Sequence, residues 1–331
     1  MGQVSRPRRG SLQYWPRKRA KKIIPSVNWK AIGEKNSDKK LLGFIGYKVG
    51  MKSVYVKDDT ADSMTKGKRV VVPGTIIECP PMKILSVRFY KNGTPTSDVV
   101  SDDLDKTLKR KIKVPKKVKG KVDSEKEVKD SSESFKSPSD FDDVSVIVYS
   151  LVKNTSVKKK PDISEIRLAG EKEDKLRWIK EHIGKEIRVS EVFAFNDLAD
   201  VRAVTKGKGN QGPVKRFGIT LRSHKAEKGQ RKVGSIGPWH PARVTFRVPM
   251  AGQMGMFTRA VYNNKVMEVG SISEKNINPA SGFKKYGNIK TDYVILRGSV
   301  QGPSKRVMVL TQPLRKTKKQ EKKNLEVIEL R

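Results

Sequence analysis

The sequence holds one cysteine and three histidines in 331 residues. A lone thiol closes no internal disulfide. Cys79, set in the apolar context VVVPGTIIECPPM, reads as a buried structural residue of a protein in a reducing, cytoplasmic compartment. His182, His224 and His240 show no ligand spacing, and no second cysteine can join them, so neither a metal site nor a cofactor that needs one is expected. No stretch of about 18 uncharged apolar residues occurs, which leaves no candidate membrane helix. The start MGQVSRPRRGSLQYW carries basic residues with no apolar core behind them, so no secretory leader is expected there. Acids are scarce as well: 35 Asp and Glu stand against 72 Lys and Arg, a net charge of +37. That balance argues against a neutral metabolic enzyme and calls for a polyanionic partner.

The charge that is present comes in blocks. Residues 1–22 carry Arg6, Arg8, Arg9, Arg17, Lys18, Arg19, Lys21 and Lys22 around Tyr14 and Trp15, with no acid. Self-repulsion should keep such an arm extended until it meets an anion. From Leu41 the pattern changes to short runs, LLGFIGYKVG, KSVYVKD, RVVVPGTIIE and MKILSVRFY, rich in Val, Ile, Phe and Tyr and broken by Gly and Pro. This spacing predicts an antiparallel barrel or sandwich rather than βαβ units, with turns at Pro73-Gly74 and Asn92-Gly93. Residues 101–143 mix Lys with Asp, Glu and Ser and read as an exposed insertion, partly helical near DDLDKTLKRK and loose around KDSSESFKSPSD. VSVIVYSLV reads as a buried strand, and EKEDKLRWIKEHIG as a short helix with acids in its first turn and Gly184 as its stop. A second β-rich half follows in KEIRVSEVFAF, KVMEVGSIS, TDYVILRGSV and KRVMVLTQP. The resulting division is a basic extension over 1–40, a discontinuous β body over 41–100 and 185–314, an inserted α+β region over 101–184, a basic finger over 202–259 within the second half of the body, and a C-terminal tail over 315–331.

Few motifs point to catalysis. Gly207, Gly209 and Gly212 make a formal G-x-G-x-x-G, but a dinucleotide site needs a helix directly afterwards and an acid about 20 residues on. Pro213 and Gly218 oppose a helix, and the position 20 beyond Gly212 is Lys232. There is no P-loop. Asp58-Asp59, Asp102-Asp103 and Asp142-Asp143 are adjacent pairs in polar surroundings and read as solvated surface. No small-molecule substrate or membrane partner is expected.

Residues 202–259 are different. Arg202, Lys206, Lys208, Lys215, Arg216, Arg222, Lys225, Lys228, Arg231, Lys232, Arg243, Arg247 and Arg259 lie scattered among glycines with one acid, Glu227. An ordinary solvated helix would intersperse acids for pairing. Glycine lets a backbone follow an irregular phosphate surface, and Arg forks onto phosphate or stacks on a base. Trp239 and His240 sit between Pro238 and Pro241, in a stiff non-helical turn. A Trp there either anchors a core or stacks on an unpaired base. Two antiparallel arms of such a finger, unable to bury their own backbone, would be ordered on nucleic acid.

The stretches GSIGPWHPARV, MAGQMGMFTRAVYNNKVMEVG and RPRRGSLQYWPRKRA resemble the universal large-subunit ribosomal protein three, in its archaeal form close to the eukaryotic one. The resemblance covers nearly the whole chain and is weakest over 101–143. It implies a mainly β fold with an α+β insertion, a translation-protein-type β-barrel whose long N-terminal and central extensions run into ribosomal RNA. It also implies a non-catalytic protein that binds large-subunit RNA early in assembly, beside large-subunit proteins fourteen and twenty-four-e, with the central finger approaching the peptidyl-transferase region. On that resemblance Trp239 faces RNA, and the expected contacts are the cations of both segments other than Lys22 and Lys228, together with Trp15, His224, His240 and Gln253. Two rivals remain to be separated by experiment: an RNA-processing enzyme, for which no catalytic set was found, and a DNA-compacting protein, which would bind duplex without structural choice.

Overall fold

A computed structural model describes residues 10–11, 13–36, 40–101, 103–114 and 140–331. The chain divides into two compact units, one formed within Met1–Ile23 and Val204–Arg259, the other within Ile24–Ala203 and Ala260–Arg331. The larger one, here the body, is mainly β.

In chain order the elements are α1 (Trp29–Gly33), β1 (Gly43–Asp58), β2 (Arg69–Glu78), β3 (Met82–Lys91), β4 (Thr94–Val100), β5 (Asp143–Ser150), β6 (Ile163–Arg167), α2 (Lys172–His182), β7 (Leu198–Val204), β8 (Asn210–Gln211), α3 (Pro213–Phe217), β9 (Gly252–Gln253), β10 (Thr258–Ser271), β11 (Asp292–Arg297), β12 (Val307–Thr311), α4 (Lys318–Glu321) and β13 (Leu325–Leu330). One sheet runs β12-β7-β10-β11-β2-β1-β13, and β12 pairs with β1 as well. Six strands therefore close in a circuit, which removes the exposed edges that an open sheet would leave. The second sheet runs β4-β3-β5-β6.

LLGFIGYKVG and KSVYVKD are one strand, because β1 has partners along its whole length. Its first part pairs with β12 from Gly43↔Thr311 to Tyr47↔Val307, and its end pairs with β13 up to Asp58↔Leu325. Pro73-Gly74 is no turn. Both residues lie inside β2, opposite Ser53 and Lys52. The β11 ladder ends at Arg297↔Gly74, so the amide that Pro73 lacks falls just beyond it, while its carbonyl accepts from Gly298 at 2.7 Å. Gly74 is there for clearance: a Cβ would meet Val54 Cγ2 at 2.4 Å. Asn92 and Gly93, with φ of 52° and 75°, make the tight turn between β3 and β4 as expected.

A further expectation is corrected. KEIRVSEVFAF forms no named strand; Ile187 makes an isolated bridge to Met82 and Val189–Glu191 is a 3-10 turn, with Ile187, Val189, Val192 and Phe193 buried in the core. The strand of that region is β7, whose Asp200 and Arg202 hide its apolar alternation. The C-terminal segment 315–331 contains α4 and β13. The four-stranded sheet also begins at Met82, earlier than an insertion starting at residue 101 would place it.

The helix expected over 171–184 is α2, with Glu173 and Asp174 in its first turn and Leu176, Trp178 and Ile179 buried. Within 101–143, Lys106–Arg110 is a 3-10 helix whose Leu108 is buried with Leu85, Tyr149 and Leu151; KDSSESFKSPSD falls outside the described residues but for its last one. The main core joins the first part of β1 to the second sheet and α2 through Phe44, Ile45, Ile84, Phe89, Val146 and Ile179. A second cluster at Val54, Ile76, Tyr293 and Ile295 fills the other part of the closed sheet. Cys79 is wholly buried, and burial pushes its thiol up from the ordinary range.

Candidate nucleic-acid interface

By sequence, the two segments of the smaller unit span 79 residues with 20 Lys and Arg and one acid, Glu227. Its arms begin as an antiparallel ladder. Thr205 donates to Phe257 O at 2.9 Å, Lys208 to Met254 O at 2.9 Å, and Met254 back to Gly209 O at 2.9 Å, before β8 and β9 pair at Asn210↔Gln253. The return bend needs glycine at Gly255, where φ is +72° and a Cβ would lie 2.1 Å from Lys206 O. After Gly212 comes α3, contrary to the expectation that Pro213 would oppose a helix. Proline at the first helical position gives up no bond, and Gly218 ends the helix with a φ of 63°. The remaining ground against a dinucleotide site is Lys232 where an acid is required.

Between α3 and β9 the finger has turns but no helix or strand, and none of residues 218–254 is buried. Exposed there are Arg222, His224, Lys225, Lys228, Arg231, Lys232, His240, Arg243 and Arg247, with Lys206, Lys208 and Lys215 exposed nearer the base. Trp239 is 88% exposed, so it anchors no core within the chain. Apolar side chains stand out among these cations, Phe246 at 67% and Ile236 at 45% exposure. A soluble protein gains nothing by holding them in water unless a partner covers them.

The N-terminal arm belongs to the same unit. Ala20 donates its amide to Met256 O at 2.8 Å. Trp15 stacks on Phe217 at 5.8 Å between centroids and meets Phe246 edge-on at 5.9 Å. Arg17 lies 4.2 Å from the Phe217 ring and 5.3 Å from Trp15, and Arg259 lies 4.3 Å from the ring of Tyr14. Trp15, expected on RNA, is thus part of a small aromatic core that also orders the arm. Burial first, and then the charges of Arg216 and Arg259, push the Arg17 guanidinium below its ordinary value. Like charges crowded in this way favour an anion nearby.

Other expected contacts have inward work. Arg216 Nε donates to Gln253 O at 3.0 Å and its Nη1 to Met250 O at 2.9 Å, bracing the return arm. The Gln253 side chain donates to Met254 O and Gly255 O at 3.2 and 3.1 Å. Arg202 lies in β7 of the body, half-buried near the Tyr262 ring, so it stands outside the finger. Lys18, Arg19 and Lys21 are exposed, while Arg6, Arg8 and Arg9 lie outside the described residues. Tyr14 and Phe246 were missed by reading charge alone; the signal was their spacing next to arginines.

Among the described residues no group of three or more His, Cys, Asp or Glu is placed to hold a metal ion, and no helix is long and apolar enough to cross a membrane. A β body joined to a small unit that cannot neutralise its own charge is the build of a polyanion-binding protein. A family model described as Ribosomal protein L3 matches residues 1–331. The large ribosomal subunit protein uL3 of Methanocaldococcus jannaschii is 42% identical over 323 residues, covering 94% of this chain and 92% of the relative. Its counterpart in Archaeoglobus fulgidus is 44% identical over 324 residues, covering 95% and 93%, and that of Methanosphaera stadtmanae is 41% identical over 327 residues, covering 95% and 93%. The chain belongs to the ribosomal protein L3 family, with archaeal relatives, and these relatives are named as ribosomal proteins rather than enzymes.

Proposed function

We propose that this chain is a structural, non-catalytic component of the large ribosomal subunit, working in the cytoplasm as part of the ribosome. It binds large-subunit RNA as a primary protein, early in assembly. Its closed strand circuit is the translation-protein-type barrel, docked on folded RNA, and the N-terminal arm and finger are the extensions that enter it. The observation that carries this reading is the 79-residue unit with 20 cations and one acid, half of the net charge of +37 in a quarter of the chain. Each phosphate neutralised by such a cation releases a counterion, and that gain grows with the number of contacts. Trp239 and the exposed apolar side chains of the finger gain cover by stacking or packing on RNA. In the subunit the finger tip approaches the peptidyl-transferase region, and the body neighbours large-subunit proteins fourteen and twenty-four-e.

Sedimentation of a source-cell lysate on a sucrose gradient, after a high-salt wash, tests the reading. Stoichiometric retention with the large subunit is expected. A chain found in light fractions, or stripped by modest salt, contradicts a core structural role and favours an assembly factor or RNA enzyme.

A further inference from the structure

The body has a cationic cluster of its own, remote in sequence from the finger. β11 ends at Arg297, and β13 begins at Leu325 opposite Asp58, the last residue of β1. This pairing carries the preceding residues, Lys319, Lys322 and Lys323, to the same end of the closed sheet. Together with Arg297 they line a cavity of about 350 Å³. Its apolar side is formed by Val70, Val72 and Leu325.

Two acids also line this cavity, Asp58 and Asp62, and neither pairs with the cations. Asp58 is turned into its own loop, where it accepts from the Thr60 amide at 3.0 Å, the Ser63 hydroxyl at 2.7 Å and the Thr65 hydroxyl. Asp62 is exposed. Among the described residues none of the four cations makes a salt bridge, although nine other lysines and arginines of the body do. Burial, then the charges of Arg297 and Lys319, push the Lys323 ammonium below its ordinary value. Four cations facing one cavity without a paired carboxylate are held at a cost that an incoming oxyanion removes.

We propose that the cavity between Arg297, Lys319, Lys322 and Lys323 binds a phosphate group of an RNA backbone, giving the body an anion site independent of the finger. Two acids against four cations leave a charge of +2, which one or two phosphodiester groups match. The apolar side has room for the attached ribose, so the cavity suits a nucleotide unit better than a bare anion. The inference rests on the RNA-binding reading above and adds a contact that lies in neither basic extension.

The test uses the full chain and two probes, inorganic phosphate and large-subunit ribosomal RNA. Thermal unfolding of the body is followed in phosphate and in chloride at matched ionic strength. The wild type is expected to melt higher in phosphate. The double variant K319Q/K323Q should lose that difference while melting in chloride at the same or a higher temperature, because it removes a repulsion. In RNA titrations, the slope of log K against log salt should become shallower for the double variant by one to two, at about 0.9 per lost phosphate contact. A wild-type slope on RNA for the double variant overturns the proposal. If that result comes with a lost phosphate response, the cavity serves free phosphate compounds instead. A finger variant, R222Q/R231Q, separates the two readings: it should flatten the RNA slope and leave the phosphate response intact. An unchanged slope in the finger variant counts against the RNA role of the finger, whereas the cavity stands or falls on K319Q/K323Q alone.

Discussion

The body and the cationic unit solve opposite problems with the same alphabet. In the body, acids are used to pair, and two buried carboxylates are richly hydrogen-bonded. Glu78 is completely buried, yet it accepts from the amides of Lys290 and Thr291 at 2.8 and 3.2 Å, from the Thr291 hydroxyl, and from the Tyr286 hydroxyl. Buried Asp200 likewise accepts from the amides of Asn263 and Leu314 at 2.8 and 2.9 Å. Arg88 forks onto Asp98 with two bonds of 2.8 Å. By sequence the only acid of the cationic unit is Glu227, and among its described residues the apolar nucleus is a handful of rings with arginines laid on them, while residues 218–254 bury nothing. The body carries what it needs to fold. The finger lacks both a core and counter-charge, and on the proposed function RNA is the partner that supplies them.

The largest effect that separates the two is on stability. Phe44 is fully buried in the main core, so Phe44→Ala should destabilise the body by about 3–5 kcal/mol. Trp239→Ala, at a position 88% exposed, should stay within about 0.5 kcal/mol of wild type while changing translation by the assembled subunit. Chemical denaturation of both variants checks the contrast. Equal losses would show that the finger has a core role in the free chain.

A smaller effect is local. Trp15→Ala removes the ring that stacks on Phe217 and meets Phe246, a pair of contacts each contributing about 0.5–1.5 kcal/mol beyond burial. Hydrogen exchange should rise at the ladder residues 205–211 and at α3, with the body's unfolding midpoint held. A midpoint that falls with the exchange protection would mean that the two units do not fold separately.

The same contrast governs what the sequence shows. Charge segregation is a property of composition, so the finger and its single acid could be read directly, whereas composition left Trp239 open between a core anchor and a stacking role until the fold showed it 88% exposed. The strands rich in Val and Ile were legible because burial on both faces leaves continuous apolar runs. Three features resisted. Pro73-Gly74 looks like a turn, but the closeness of Val54 in a closed sheet demands glycine inside β2. KEIRVSEVFAF is apolar because it plugs the core, and burial of this kind needs no strand. Trp15 and Arg216 read as RNA contacts because they lie in basic runs. Only the folded unit shows that the arm and the return strand use them to hold each other. The cavity beside Arg297 was hidden for a related reason, since its lysines come from a segment that reads as a tail and gains its place through the pairing of β13 with β1.

The most direct measurement is the salt dependence of binding to large-subunit ribosomal RNA, for the wild type and for a variant with Arg222, Lys225, Lys228, Arg231, Lys232 and Arg243 all replaced by Gln. All six are exposed and lie in the part of the finger without helix or strand, so the body should keep its stability. If they neutralise phosphates, the slope of log K against log salt becomes shallower by about 5. An unchanged slope would contradict the account, because the charge that sets this unit apart from the body would then have no part in holding RNA.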